Sequence, residues 1–485
     1  MHPINRLPAD VFTLIPRFLT NDTSDHDPFP MNRPLVTMTH VCQSWRDVLF
    51  SIPSLWTQLD FSKSTKSQQA EDFLGRSGER FLDVYQFLDD GEDIEPFLPI
   101  ILRNAYRLRR LEIFSSHPHL EHVLARFARP APELKHLEIE NDFDITNRDI
   151  VLPSTIFGGQ LPKLTSLSLH RLCTDLRDFN FPSLTRFTFV TGTTTSVRDL
   201  TSFIEKCPSL EFIRISLKYF PLPPTTPPLK RIRLGALKEL RFNITASTSG
   251  LLNHLALPGC TEVVLGEFRD DIFSERSYAT TRIHPSSIDH LPVTRGITKA
   301  VAVPNSCILS GPNGNLRIWC LEEARGNFDA EVFTSFSLIS VLQIRELWVG
   351  RNIMSHAGTT RKFWEPTAAG VYGAFGVLTK VEDLTLVNCQ TQPFFLTLGV
   401  VVGGGVLLPG LRRLTVFVGC GCLDVPAPIQ CAEARKEYFR PLGVVTIVFE
   451  EPQADFVEGA KSLREFVGEL IYRVGEPGSR VVLGR

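Results

Sequence analysis

Apolar residues in the middle of the chain recur in a short phrase, Leu-x-x-Leu-x-Leu, that usually follows a proline. One copy runs from Pro132 through Leu134 and Leu137 to Ile139. The last two apolar positions of a phrase point to the same side of an extended chain, so each phrase predicts a short strand with one buried face. The other copies place their apolar residues at Leu164, Leu167, Leu169; Leu184, Phe187, Phe189; Leu210, Ile213, Ile215; Leu229, Ile232, Leu234; Leu108, Leu111, Ile113; Ile344, Leu347, Val349; Val381, Leu384, Leu386; and Leu411, Leu414, Val416.

Helical patterns lie between the strand phrases, for example over 120–127 and 197–204, where apolar residues recur at three- and four-residue spacing. The phrases that begin with proline follow one another at intervals close to the ~20–29 residues of leucine-rich repeats, which they resemble. A strand–helix unit of this size cannot bury its apolar face alone, so neighbouring units must stack. We therefore expect an α/β fold with an irregular leucine-rich-repeat-like solenoid over residues 108–450. The alternative is an ordinary α/β domain with a parallel sheet and no repeat.

The segment before the first phrase, 61–107, is predicted to be a connector. Its apolar pattern predicts a helix over 70–74, a strand over 81–87 and a second helix over 96–106. The acidic run between the last two of these is typical of a solvated turn. The repeat is therefore expected to begin at residue 108.

Two later segments depart from the repeat. Residues 266–340 are expected to form an irregular insertion, within which Asn313 and Gly314 between apolar residues are typical of a β-hairpin turn. Residues 451–485 are expected to form a C-terminal capping region. Its apolar residues recur at helical spacing over 455–472 and predict a helix that covers the open end of the array.

The first sixty residues carry two apolar ladders at helical spacing. The first begins after Pro8, which suits the first position of a helix because the N–H there has no partner. Pro16 lies inside this ladder and predicts that the first helix is kinked or ends early. The second ladder ends at Pro53, since proline disfavours helical geometry in the residue before it. A unit of ~60 residues is marginal alone, so the apolar residues predict contact with a partner or with the rest of the chain. The ladders comprise Val11, Leu14, Ile15, Phe18, Leu19 and Leu35, Met38, Val41, Cys42, Trp45, Val48, Leu49.

The pairs Leu7-Pro8, Val41-Cys42 and Trp45-Arg46, with the exit Pro53-Ser54-Leu55-Trp56, give residues 4–60 a resemblance to the F-box. The chain looks similar to F-box substrate receptors of mushroom-forming fungi. The resemblance implies a helical module that docks on a Skp-type adaptor and, through it, on a cullin–RING ubiquitin ligase. It implies adaptor contacts at Leu7, Pro8, Val11, Phe12, Ile15, Leu35, Val41, Cys42, Trp45 and Arg46. The alternative is a helical cap on the repeat array that follows.

Composition narrows the function classes. The chain has 485 residues, with 51 basic against 53 acidic side chains and a net charge of −2. This balance gives no electrostatic footprint for nucleic acid or an anionic membrane. The sequence predicts neither a secretory signal nor the ~20 consecutive apolar residues of a membrane span. Its ten cysteines show no paired spacing, so a reducing compartment, the cytoplasm or nucleus, is expected.

Candidate chemistry is sparse. The three histidines within 117–122 form the densest group of ligand-type residues, but the apolar helix that follows favours a polar helix start. Cys420-Gly421-Cys422 lacks the second pair of ligands that a zinc site needs. The chain contains no phosphate-binding glycine loop and no Gly-x-Ser-x-Gly nucleophile elbow. We therefore expect a protein that is not an enzyme, with no catalytic residue, metal or cofactor.

Together these patterns predict a substrate-recognition adaptor of an SCF-type ubiquitin ligase. A target protein would bind the repeat region at basic strand positions that face outward: Arg110, Lys135, His136, Arg186, Arg214 and Arg231. One alternative is a leucine-rich-repeat interaction scaffold that is independent of ubiquitin ligases. Another is a hydrolase or other enzyme, which would require a deep pocket with titratable groups of shifted pKa.

Overall fold

The chain divides into two compact units, Met1–Pro224 and Thr225–Arg485. The computed structural model describes residues 14–15, 33–61, 67–88, 97–115, 120–141, 150–191, 196–217, 231–243, 249–266, 291–303, 306–319, 343–350, 368–387, 391–402, 405–418, 426–438, 440–449 and 460–474.

The first unit alternates helices and strands. Its helices are α1 Arg33–Thr39, α2 Gln43–Phe50, α3 Ser67–Ser77, α4 Leu98–Arg103, α5 Leu120–Ala125 and α6 Val197–Glu205, with 3₁₀ turns at Pro53–Trp56, Ala105–Arg107, Ile156–Gly159 and Leu176–Asp178. Its strands are β1 Gln58–Phe61, β2 Leu82–Leu88, β3 Leu108–Ser115, β4 His136–Asn141, β5 Ile150–Val151, β6 Ser166–His170, β7 Leu172–Cys173, β8 Arg186–Thr191 and β9 Phe212–Leu217.

The strands of the first unit form a parallel sheet in the order β1–β2–β3–β4–β6–β8–β9. The small strands β5 and β7 pair separately. Parallel neighbours need a crossover connection, and α5 and α6 lie in two of these connections, as their apolar spacing predicts. The α/β class with a mostly parallel sheet is therefore confirmed.

The register of this sheet brings the apolar positions of successive phrases together. One cross-strand row contains Leu59, Val84, Leu111, Leu137, Leu167, Phe187 and Ile213. A second row contains Phe61, Gln86, Ile113, Ile139, Leu169, Phe189 and Ile215. All of these side chains are buried. Full burial of one apolar side chain of this size stabilises the folded state by roughly 1.5–3 kcal/mol, before the loss of side-chain conformational entropy is subtracted. The predicted inward positions of these phrases are confirmed.

The second unit contains the helices α7 Ser249–Leu252, α8 Ala368–Val377, α9 Gln392–Leu398 and α10 Pro426–Glu437, with 3₁₀ turns at Pro292–Thr294 and Ala460–Glu465. Its strands are β10 Ile232–Arg233, β11 Glu239–Asn243, β12 Leu255–Ala256, β13 Glu262–Leu265, β14 Lys299–Val303, β15 Ser306–Gly311, β16 Gly314–Trp319, β17 Glu346–Gly350, β18 Asp383–Val387, β19 Val401–Val402, β20 Gly405–Val406, β21 Arg413–Val418, β22 Leu442–Phe449 and β23 Val467–Val474. Among the described residues, no helix has the length and apolar character that a bilayer crossing requires.

The main sheet of the second unit runs in the order β11–β13–β16–β15–β14–β17–β18–β21–β22–β23. Its pairings are parallel except where β15 meets β14 and β16, which are antiparallel to it. The turn between β15 and β16 contains Pro312 and Asn313, so the predicted hairpin is confirmed. The described part of 266–340 supplies these three strands to the sheet.

The strand expected over 81–87 is present as β2, which joins the sheet between β1 and β3. One expectation differs from the structure. The helix expected over 455–472 is wrong, because β23 occupies Val467–Val474 and pairs with β22. Glycine is unfavourable in a helix interior, and a Cβ at Gly468 would lie 2.6 Å from the carbonyl oxygen of Gly443. The close approach of these two strands requires that glycine.

Replacing Gly314 tests the close contact at the start of the hairpin strand β16. Its φ is +125°, and a Cβ there would collide with the carbonyl group of Thr261. We expect Gly314→Ala to lower the urea midpoint of unfolding, with a loss of at least ~1–3 kcal/mol from the strained backbone alone.

The matched control for this substitution is Gly373→Ala in α8. A Cβ at Gly373 would meet nothing within 4 Å, and alanine is favoured over glycine in a helix by roughly 0.5–1 kcal/mol. We expect the control to unfold at the same or a higher urea concentration. Equal midpoints for the two variants would contradict the assigned contact at Gly314.

Candidate functional site

The face of the first sheet opposite its apolar rows carries most of the polar side chains of that sheet. Side chains alternate between the two faces of a strand, so residues between the apolar positions of each phrase share this face, which we call the polar face. Its rows are Gln58, Asp83, Arg110, His136, Ser166, Arg186, Phe212; Asp60, Tyr85, Glu112, Glu138, Ser168, Thr188, Arg214; and Phe87, Phe114, Glu140, His170, Val190, Ser216.

Charge is distributed unevenly along the polar face. The half formed by β1, β2, β3 and β4, here the acidic half, carries five carboxylates: Asp60, Asp83, Glu112, Glu138 and Glu140. The half formed by β6, β8 and β9, here the basic half, has two arginines and no acidic residue at its described face positions. Acidic residues therefore predominate in one half and basic residues in the other, although Asp60, Asp83 and Glu112 are buried.

Two ion pairs lie within the acidic half. The guanidinium of Arg109 donates hydrogen bonds to both carboxylate oxygens of Asp83. Arg110 pairs with Glu112 on its own strand, and its guanidinium lies 5.6 Å from the centre of the Tyr85 ring. Burial raises the pKa of Tyr85 to about 12, so its hydroxyl stays protonated at neutral pH and can donate a hydrogen bond.

Glu138 lies on β4, the strand at which the acidic half meets the basic half. Among the described residues it has neither a hydrogen bond nor an ion pair, since Arg110 pairs with Glu112 instead. Burial is the main cause that raises its pKa to about 7, and the neighbouring carboxylates of Glu112 and Glu140 add to the shift. The carboxyl group therefore changes charge near neutral pH and is suited to receiving a cation.

The basic half owes its charge to arginine alone. The guanidinium of Arg186, an exposed side chain, lies 4.5 Å from the centre of the Phe212 ring. Burial, with a smaller contribution from Arg214, lowers the pKa of His170 to about 4. His170 is therefore neutral at pH 7, and its Nε2 lies 2.9 Å from the hydroxyl of Ser168. Positive charge at this end comes from Arg186 and Arg214.

The residues predicted to bind a target separate into two groups. Arg110, His136, Arg186 and Arg214 lie on the polar face, whereas Lys135 precedes β4 and Arg231 belongs to the second unit. Burial is the main cause that lowers the pKa of His136, and nearby Arg110 adds to this shift.

The carboxylates of the polar face were not among the residues that the sequence predicted for target binding. The signal that could have found them is the position between the last two apolar residues of a phrase, which holds Glu112 and Glu138.

Five of the residues expected to contact an adaptor lie in α1, in α2 or between them: Leu35, Val41, Cys42, Trp45 and Arg46. Leu35 is buried, Cys42 and Trp45 are half-buried, and Val41 is 57% exposed. Arg46 donates from Nε to the carbonyl oxygen of Thr39 at 2.9 Å and so closes the corner between the helices. Ile15 is helical and half-buried, while Leu7, Pro8, Val11 and Phe12 lie outside the described residues.

Trp56 fixes these helices against α3. It is fully buried, and its Nε1 donates to the carbonyl oxygen of Leu49 at 3.0 Å. Its ring lies 5.1 Å from that of Phe73 and 5.6 Å from that of Phe50. The guanidinium of Arg76 lies over both Phe50 and Trp56, an arrangement typical of cation–π attraction. The segment that follows α2 therefore holds α2 in place against α3 through Trp56.

Reactive side chains are few in the part of the chain that the structure describes. No group of three or more His, Cys, Asp or Glu residues there is arranged to hold a metal ion. His117, His119, Cys420 and Cys422 lie outside that part. Burial raises the pKa of the thiols of Cys207 and Cys260 to about 11 and that of Cys431 to about 12. These three thiols are protonated at neutral pH and are poor nucleophiles.

Glu138 gives a pH-dependent prediction for stability. Its folded pKa of about 7 exceeds its ordinary value of 4.5, so the native state becomes less stable as pH rises through that window. Glutamine mimics the protonated form. We expect Glu138→Gln to raise the melting temperature at pH 8 and to change it little at pH 5.

The comparison for this prediction is Glu433→Gln, which removes an exposed carboxylate from α10. Thermal unfolding of both variants and the wild type at the two pH values provides the measurement. We expect the control to have the same melting temperature as the wild type at both pH values. An equal effect of Glu138→Gln at pH 5 and pH 8 would show that the carboxyl group is not desolvated in the native state.

No model of a protein family matches the chain, and no curated protein matches its sequence.

Proposed function

We propose that the chain is a substrate-recruiting subunit of an SCF-type ubiquitin ligase. The observation that carries the proposal is the helix pair α1–α2, in which the positions that match the F-box include the exposed Val41 and the half-buried Trp45. Exposed apolar side chains beside a structural anchor are suited to a partner surface. The partner would be a Skp-type adaptor, with a cullin reached through it.

The sheet region supports the second part of the proposal. We propose that its strands and crossovers form a leucine-rich-repeat-like solenoid in which each phrase supplies one strand. The repeated register of the buried rows supports this arrangement, because each unit buries its apolar residues against its neighbours. The polar face would then hold the target protein.

The mechanism is recruitment, with the chemistry supplied by the associated ligase. A subunit that holds the adaptor through one surface and the target through another raises the effective concentration of the target near the enzyme. It also restricts the orientation of the target, which accelerates a reaction between bound partners. No side chain of this subunit takes part in bond formation in this scheme.

A second candidate is a repeat scaffold whose N-terminal helices serve as a cap. The observation that favours it is the burial of Leu35, Met38 and Leu49 within the first unit. These side chains already have a covered environment. The two candidates differ in the role of Val41, which a cap leaves in solvent and an adaptor would cover.

Val41→Glu tests the proposed adaptor surface. The substitution would place an unpaired carboxylate in an apolar interface, which is costly unless it finds a partner. In a pull-down of the full chain with a purified fungal Skp-type adaptor, we expect at least tenfold weaker binding than for the wild type.

The matched control is Val151→Glu, a second exposed valine of the first unit that lies on β5. It should retain wild-type binding, and circular dichroism should show that both variants fold. Failure of the folded wild type to bind the adaptor, or equal binding by Val41→Glu, would favour the cap.

A further inference from the structure

We propose that the polar face of the first sheet binds an extended protein segment in which a Lys or Arg and an Asp or Glu lie about four residues apart. The cationic residue would contact the acidic half around Glu138, and the anionic residue the basic half at Arg186 and Arg214. The inference rests on the proposed function in that the segment would belong to the recruited target, and it specifies the chemistry by which that target is recognised.

Charge complementarity identifies the partner. In the acidic half the two arginines are engaged with Asp83 and Glu112. Glu138 forms no ion pair with any residue that the structure describes, so a cation of the partner would supply one. In the basic half the guanidinium carbon of Arg186 lies over the ring of Phe212. A guanidinium in this position can still donate N–H hydrogen bonds to a carboxylate. A segment with both charges satisfies both halves.

The spacing follows from the geometry of the sheet. Glu138 and Arg214 lie in the same cross-strand row, separated by the steps β4–β6, β6–β8 and β8–β9. Strands lie about 4.8 Å apart, so the two side chains stand roughly 14 Å apart along the face. An extended segment advances about 3.3 Å per residue, so roughly four residues cover this distance.

The positions between the two charged ends suit the middle of such a segment. Ser168 and Thr188 lie between Glu138 and Arg214 in the row, and both are half-buried. Their side chains are short, and their hydroxyl groups can donate to or accept from a peptide backbone. The centre of the face therefore admits a segment of varied sequence, and specificity comes from its two charges.

The unequal charges argue against other occupants. A nucleic acid would bring its phosphates against the carboxylates of the acidic half, which repel them. A uniformly basic segment would meet Arg186 and Arg214, and a uniformly acidic one would meet Glu138 and its neighbours. Juxtaposed like charges of this kind suppress wrong partners.

A peptide selection on the full chain tests the proposal. The probe is a library of twelve-residue Gly/Ser peptides, each with one Lys and one Glu at separations from one to seven residues and in both orders. We expect the immobilised wild type to enrich separations of three to five at least fivefold over the others. Equal recovery at all separations, or enrichment that depends on only one of the two charges, would overturn the proposal.

Two neutralising variants assign the charges to the face. Glu138→Gln should remove the requirement for Lys and keep that for Glu, and Arg186→Gln should weaken the requirement for Glu and keep that for Lys. The matched controls are Glu205→Gln and Arg198→Gln, which change exposed residues of α6. Both controls should enrich the same peptides as the wild type. Selection that is unchanged by both face variants would place the binding elsewhere and overturn the proposal.

The adaptor pull-down separates this inference from the proposed function. A chain that binds the adaptor but shows no charge-spaced selection would contradict only the role of the polar face. A chain that selects the peptides but does not bind the adaptor would contradict only the ligase assignment, and the face would then belong to an interaction scaffold.

Discussion

The first unit depends on the lateral stacking of apolar side chains in register across parallel strands. Leu111, Leu137, Leu167 and Phe187 occupy one such row, and every one of them is buried. A slip of one residue in any pairing would move its strand's apolar set to the opposite face. The register that builds the core therefore also fixes which side chains form the polar face, so the core and the candidate binding surface have a single origin.

Much of the fold follows from the sequence alone because its apolar phrases repeat. The phrases around Leu137, Leu167 and Ile213 predict strands with the correct inward residues, and the hairpin at Asn313 follows from its turn chemistry. Strand β1 is not predicted because it is short and because Leu59 follows Leu55 by four residues, one more than the spacing of the other phrases. The C-terminal error has a different cause, since the apolar residues over 463–471 have the spacing of a helix. The pairing of β23 with β22, in which Gly468 lies close to Gly443, overrides that local pattern.

The candidate site is less accessible to sequence reasoning. Alternation along a strand shows that Arg186 and Glu138 face away from the core, but it does not show which charges neutralise one another. That outcome depends on the lateral order of the strands. Arg109 reaches across to Asp83 on β2, whereas Arg110 pairs with Glu112 on its own strand. These pairings leave Glu138 without an ion pair among the described residues, and only the three-dimensional geometry shows it.

The antiparallel strand β15 has a consequence for how such a sheet can grow. It lies between β14 and β16, which both run parallel to the strands that flank them. An up–down–up set of strands leaves the direction of its neighbours unchanged. A chain can therefore widen a parallel sheet by inserting or lengthening a hairpin, without a new crossover helix. The segment 299–319 gives a route by which sheets of this kind can change width in evolution while both flanks keep their existing pairing.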